Sequence, residues 1–403
     1  MRTSRARTAG ALLTGLGAAL LIAAPTGAVA AQHSHATSSK KPAHPAGLFV
    51  SEQGRITKAA TPSAFLRDFN STQHIVTSVA STTPGKSRVV YLTRRSKAGK
   101  WTSHAIPGLR PSAGKIQIEA HLSPDGRHVY VVFYECDGVF ASAAGINAVR
   151  LPEPTQITAT TNTCGRPNAS NDNPPIARSM VFPYNDMGVL LPDPAQDNKI
   201  ALWKGLPNTG FVPGAALPTT DGFTPVQITT GTSGQVVVIG TGMDGANQAI
   251  YTVMKDPYGS TWSAPVKLAT LNSPTSDYTI EALTSYRYST WVGLYRPRGS
   301  SGRTHTLFLD HGTASGWLGV VPMAHTTTHD SSLRLVYNEG TGHLHAAFTR
   351  VDPASKSKKS GIMQQTLIKS WAKPKFVTHW YRDVAAQLTF TNGGHTILSY
   401  YQP

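Results

Sequence analysis

The chain has 403 residues, 40% of them hydrophobic, with 37 Lys and Arg against 21 Asp and Glu for a formal charge of +16. It is rich in Gly and Pro, poor in charge at 14% DEKR, and holds two cysteines. This composition argues against a helical bundle and points to many short strands and tight turns, while two thiols without a CxxC spacing argue against a metal or redox pair.

Three of the positive charges, Arg2, Arg5 and Arg7, open the chain as an acid-free n-region. Ala9 to Ala24 form an apolar run, Pro25 and Gly27 break it, and Ala28-Val29-Ala30 has the small-x-small form that signal peptidase needs. The run is shorter than the about 20 apolar residues that span a bilayer. Residues 1–30 are therefore expected to be a cleaved export signal, and no later segment reads as a membrane span. Residues 31–46 are Ser, Thr, Lys, His and Pro without apolar periodicity, which reads as a flexible leader. Residues 47–403 are expected to form one domain.

That expectation rests on an internal period. Short apolar strands come in groups of four, and first strands start near Ser63, Ile116, Arg178, Val226, Thr279, Ser332 and Ala385. The last three intervals are 53 residues each. A Trp opens the fourth strand of several units, at Trp101, Trp262, Trp317 and Trp371. Four-stranded units of this length, repeated without helices, predict an all-β propeller. Seven blades fit the spacing, with six as the alternative. The last unit has only two strands before the chain ends, and Gly47–Ser51 with Arg55–Ala59 fit the missing two. N- and C-terminal strands would then share one blade and close the ring.

Ser123-Pro124-Asp125-Gly126 lies in the second unit. It resembles the S-P-D-G hairpin of TolB-type propeller repeats and, less well, the Asp-box of bacterial sialidases. The resemblance implies the propeller class and no particular activity. Physically the motif is a turn between first and second strands, with Asp125 accepting backbone N–H bonds and Gly126 at positive φ.

Cys136 and Cys164 stand 28 residues apart in the longest unit. In an exported protein they are expected to form one disulfide, worth about 3–4 kcal/mol in the chain-entropy model.

Asp277, Asp330 and Asp383 recur at 53-residue intervals, each just before a first strand. Glu281 and Arg334 follow four residues after the first two, and Glu119 aligns with Glu281. With a period of two these side chains point the same way as the Asp. Converging carboxylates and an Arg on a channel face can bind a sugar, hold Ca²⁺ or share acid–base work. The bland alternative is that each Asp caps its own loop and that Glu281 and Arg334 form a bridge between blades. Tyr278 and Tyr286 are candidate aromatic platforms beside them.

His343 and His345 share one strand face, and His325 with His329 form a loop cluster that could meet them. Lys356, Lys358 and Lys359 mark a basic loop. There is no HExxH, GxSxG elbow, P-loop or dinucleotide fingerprint, so no cofactor is expected. The leading functional reading is a secreted, monomeric, non-catalytic propeller that binds a glycan or another extracellular macromolecule on its channel face. A carbohydrate hydrolase or lyase using the channel carboxylates and a structural cell-surface protein stand beside it. The basic charge suits an acidic polymer, and no nucleic-acid motif is present.

Cleavage after Ala30 creates the N-terminus Ala31-Gln32-His33. Its α-amine, two backbone amides and the His33 imidazole supply four nitrogens in a plane, as Cu²⁺ prefers. N-terminal sequencing is expected to begin at Ala31. Copper titration is expected to give a nitrogen-rich d–d band that His33→Ala removes; a band unchanged in that variant would place the metal elsewhere.

Overall fold

The computed structural model describes residues 64–401, apart from 69, 71, 85, 96–99, 110–115, 136–137, 159–177, 219–222, 258, 272–277, 297–303, 314–315, 353–359, 378–383 and 391–395. The signal, the leader, the strands expected in 47–59 and both cysteines fall outside these residues, as do Asp277, Asp383 and the Lys356–Lys359 loop.

The described strands form seven antiparallel sheets, each built from consecutive strands in chain order. Their first strands are Ala64–Arg67, Gln117–Leu122, Arg178–Val181, Thr224–Thr230, Thr279–Tyr286, Asp330–Asn338 and Val384–Phe390, and they head sheets 1 to 7. Every one begins within two residues of its position expected from the repeat. Sheets 1–4 and 6 have four strands. In sheet 5 the fourth is split into Gly316–Trp317 and Val321–Pro322, both on Leu307–Thr313. Sheet 7 has two described strands, Val384–Phe390 and Thr396–Tyr401. Each first strand lies against the first strand of the next sheet, and that of sheet 7 lies against that of sheet 1. The chain is an all-β propeller, with the first strands innermost. The only described helix is a 3-10 turn at Pro194–Gln196, capped by Asp193, and no described helix is long and apolar enough to cross a membrane.

The second strands show why the fold holds. In His128–Glu135 of sheet 2, Val129, Val131 and Phe133 pack toward sheet 1 with Val89 and Tyr91. Tyr130, Val132 and Tyr134 pack toward sheet 3 with Met187, Val189 and Leu191. Alternate side chains leave opposite faces of a strand, so a strand between two sheets is apolar on both faces wherever its side chains have no buried hydrogen-bond partner. Val236-Val237-Val238-Ile239 meets the same demand in sheet 4, where all four are buried.

The expected hairpin is present. Ser123 Oγ donates to Asp125 at 2.5 Å, Arg127 N donates to Asp125 Oδ1 at 3.0 Å, and Gly126 has φ 66. Asn185, Gly234 and Gly342, with φ 72, 81 and 70, take the same left-handed place in sheets 3, 4 and 6. Trp101 stands directly before Thr102–Ala105 and Trp317 lies in Gly316–Trp317, while Trp262 and Trp371 form isolated bridges with Lys255 and Leu367 four residues ahead of the fourth strands Val266–Leu271 and Lys375–Phe376.

Phe133 is fully buried and Leu318 is 81% exposed. Phe133→Ala is expected to cost about 3–5 kcal/mol, and Leu318→Ser less than about 0.5 kcal/mol. Denaturant unfolding of the two variants checks both.

Candidate functional site

The inner strands of sheets 4 to 7 each carry a bulge in their pairing with the second strand. It falls between Pro225 and Gln227, Ile280 and Ala282, Ser331 and Arg334, and Ala385 and Gln387. A bulge inserts unpaired residues and re-aims the side chains around it. In sheet 6 Ser332, with φ 55, and Leu333 together stand opposite the single Phe348. The simple alternation expected from Asp330 to Arg334 is therefore broken, and the two side chains part company.

Asp330 turns inward and is 1% exposed. Arg350 Nε and Nη2 donate to its two carboxylate oxygens at 2.6 and 2.8 Å, and Thr327 N donates at 2.5 Å. Its carboxylate is thus occupied within its own sheet, which is the loop-capping arrangement. Arg350 lies directly opposite Asp330 on the neighbouring strand; nothing in the 53-residue spacing singles it out.

Arg334 turns instead to sheet 5. Its Nη1 lies 3.5 Å from Glu281 Oε2 and donates to Leu333 O at 2.7 Å. Glu281 sits at the bulge of its own strand. Burial pushes its carboxyl above the ordinary 4.5, and the Arg334 guanidinium opposes that shift. Gln227, Glu281, Arg334 and Leu335, from the inner strands of sheets 4, 5 and 6, line one cavity of about 390 Å³ together with Ile280 and Leu283. This cleft combines one carboxylate, one guanidinium and one carboxamide over an apolar floor, a set that suits a polar, uncharged ligand with several hydroxyls.

Glu119 lies three sheets away and is locked differently. Its Oε1 pairs with Arg178 Nη1 of sheet 3 at 3.1 Å, and its Oε2 accepts from Ser179 N and Oγ, both at 2.7 Å. Arg178 Nε in turn donates to Val226 O of sheet 4. Glu119 and Glu281 share the inner-strand position and an Arg on the following sheet, as aligned, but the structure puts them in separate places. Tyr278 and Tyr286 do not line the cleft. Tyr278 packs edge-on against Phe308 and Tyr286 stacks on Tyr337 at 4.3 Å.

The histidines do not converge. The His343 and His345 rings are 6.5 Å apart and occupy one end of His343–Arg350. His325 accepts through its carbonyl from Arg350 at the other end, at 3.2 Å. Among the described residues no three His, Cys, Asp or Glu side chains group as a metal site. A buried network that the repeat did not reveal joins Asp68, His74 and Tyr91, with His74 Nε2 3.2 Å from Asp68 and Nδ1 2.8 Å from the Tyr91 hydroxyl.

No family model matches the chain, and no curated protein matches it. Solved structures similar to it include a Penicillium chrysogenum alpha-L-arabinanase, 11% identical with a TM-score of 0.42, covering 70% of this chain and 87% of that one. The β-propeller domain of the Trilobed protease from Pyrococcus furiosus is 9% identical with a TM-score of 0.43, covering 82% and 89%. Kuenenia stuttgartiensis hydrazine synthase is 13% identical with a TM-score of 0.43, covering 74% and 80%.

A carboxyl whose folded pKa is raised lends stability below its unfolded pKa and loses it as the pH rises through the folded value. Glu281→Gln keeps the neutral form at every pH. Wild type is therefore expected to lose stability relative to this variant as the pH climbs from about 4 toward neutrality. Unfolding midpoints across that range check it; a difference flat with pH would mean that Arg334 cancels the burial.

Proposed function

We propose that the chain is a secreted propeller that binds a glycan in the cleft of Gln227, Glu281 and Arg334 and does not cleave it. One observation carries the reading: Gln227, Glu281 and Arg334, from three neighbouring inner strands, line one cleft, in which Glu281 is the one carboxyl among the described residues. Hydrolysis of a glycosidic bond by the usual route takes two, about 5–9.5 Å apart. Asp330 is committed to Arg350 and Glu119 to Arg178 and Ser179. A carboxylate beside a guanidinium and a carboxamide offers acceptors and donors to adjacent sugar hydroxyls, and the excess positive charge of the chain favours an acidic polymer as the carrier of that sugar. The cleavage reading keeps one supporting observation, because a carboxyl held above its usual range is what a general acid requires.

A glycan array with the exported protein is expected to yield a binder. Isothermal titration of that glycan is expected to show about tenfold weaker binding for Glu281→Ala and for Arg334→Ala, the loss of one charged hydrogen bond each. Prolonged incubation is expected to release no new reducing ends. Release that Glu281→Ala abolishes would establish the hydrolase instead; no binding across neutral and acidic polysaccharides would leave a structural role.

A further inference from the structure

A second cavity, of about 280 Å³, lies in the outer part of the junction between sheets 4 and 5 and shares no residue with the channel cleft. Two tryptophans line it, Trp262 from sheet 4 and Trp317 from sheet 5, together with Gln235, Asp256, Ser263 and Thr313. We propose that this cavity is a binding site for a single neutral sugar ring.

The two indoles are held firmly. Trp262 Nε1 donates to Ala215 O of sheet 3 at 3.1 Å. The Trp317 indole lies over Gly312, so close that a Cβ there would overlap the ring. Gly312 pairs directly with Trp317 across the strands, and the missing side chain makes room for the indole. A pyranose presents a face of C–H groups to such an aromatic surface and leaves its hydroxyls at the edge.

Two unmet polar groups supply the second, independent argument. Gln235 is 2% exposed, and its Oε1 has no hydrogen-bond partner. The Trp317 Nε1 is buried and also lacks one. Leaving a buried acceptor or donor unpaired costs about 1–3 kcal/mol; both residues line this one cavity, and a rotamer shift that brings the two atoms onto a bound ligand would recover that cost. A sugar hydroxyl donates to an amide oxygen, and a sugar oxygen accepts from an indole N–H. The exposed Asp256 carboxylate disfavours an anionic sugar. The volume lies just below the about 300–1,000 Å³ of pockets that take drug-sized ligands, which fits one ring rather than a chain.

The test is calorimetric titration of the exported full-length protein with the methyl glycosides of glucose, galactose, mannose and N-acetylglucosamine, with tryptophan fluorescence read in parallel. Saturable binding of at least one, with a change in tryptophan emission, is expected. Gln235→Leu keeps the volume and removes the unpaired oxygen, so it is expected to weaken binding about tenfold or more while the unfolding temperature stays level or rises. Trp317→Phe keeps an aromatic face, removes the N–H and is expected to weaken binding as well; it decides the matter where Gln235→Leu proves less stable. The absence of saturable binding of all four glycosides overturns the proposal. So does binding that survives both variants, and its disappearance in Glu281→Ala would assign that sugar to the channel.

Discussion

The second strands of sheets 1 to 6 are buried on both faces, because each stands between two neighbouring sheets that both need its side chains. Val131 serves sheet 1 and Val132 serves sheet 3 from adjacent positions of one strand. At about 25 cal/mol per Å² of apolar surface, these junctions are the main source of stability, and the few ionisable groups buried within the sheets, such as His74 and Asp310, are hydrogen-bonded there. Other charged and hydrogen-bonding side chains are pushed to the inner strands, the turns and the outer rim. Both candidate sites lie where that pressure puts polar groups, one at the channel and one toward the rim.

On the inner strands the polar side chains do a second job. Glu119 reaches Arg178 and Ser179 of the following sheet, Arg178 reaches the Val226 carbonyl beyond it, and Arg334 reaches back to Glu281. Each link ties sheets that are otherwise joined through apolar contact. These pairs are partly exposed, so each is worth no more than about 1 kcal/mol. Their larger effect is to fix which side chains face the channel. Glu119 is saturated by its neighbours, whereas the Glu281–Arg334 contact, at 3.5 Å, leaves the cleft a looser pair.

Fold and site were not equally legible in the sequence. The strand order follows from features with local causes. Apolar runs separated by turn residues mark the strands, Gly126 and its counterparts mark the hairpins, and Trp101, Trp262, Trp317 and Trp371 mark the fourth strands. The site depends on features that are not local. The bulge at Ser332 and Leu333 breaks the alternation that made Asp330 and Arg334 look like companions. Arg350 meets Asp330 only through cross-strand register, twenty residues on in the chain. Trp262 and Trp317 are visible as repeat markers, yet nothing in their spacing says that one cavity lies between them, with Gln235 from the start of another strand on its wall.

The contact between the first strands of sheet 7 and sheet 1 makes the array circular. In a linear stack the terminal units have one neighbour each and fray singly, so unfolding spreads inward from the ends. A circle has no terminal unit. Parting any one junction bares two apolar flanks together, and no sheet can detach without breaking two junctions at once. The described sheets consequently have no cheap first step toward disorder, and partial opening gives way to cooperative, all-or-none loss of the whole ring.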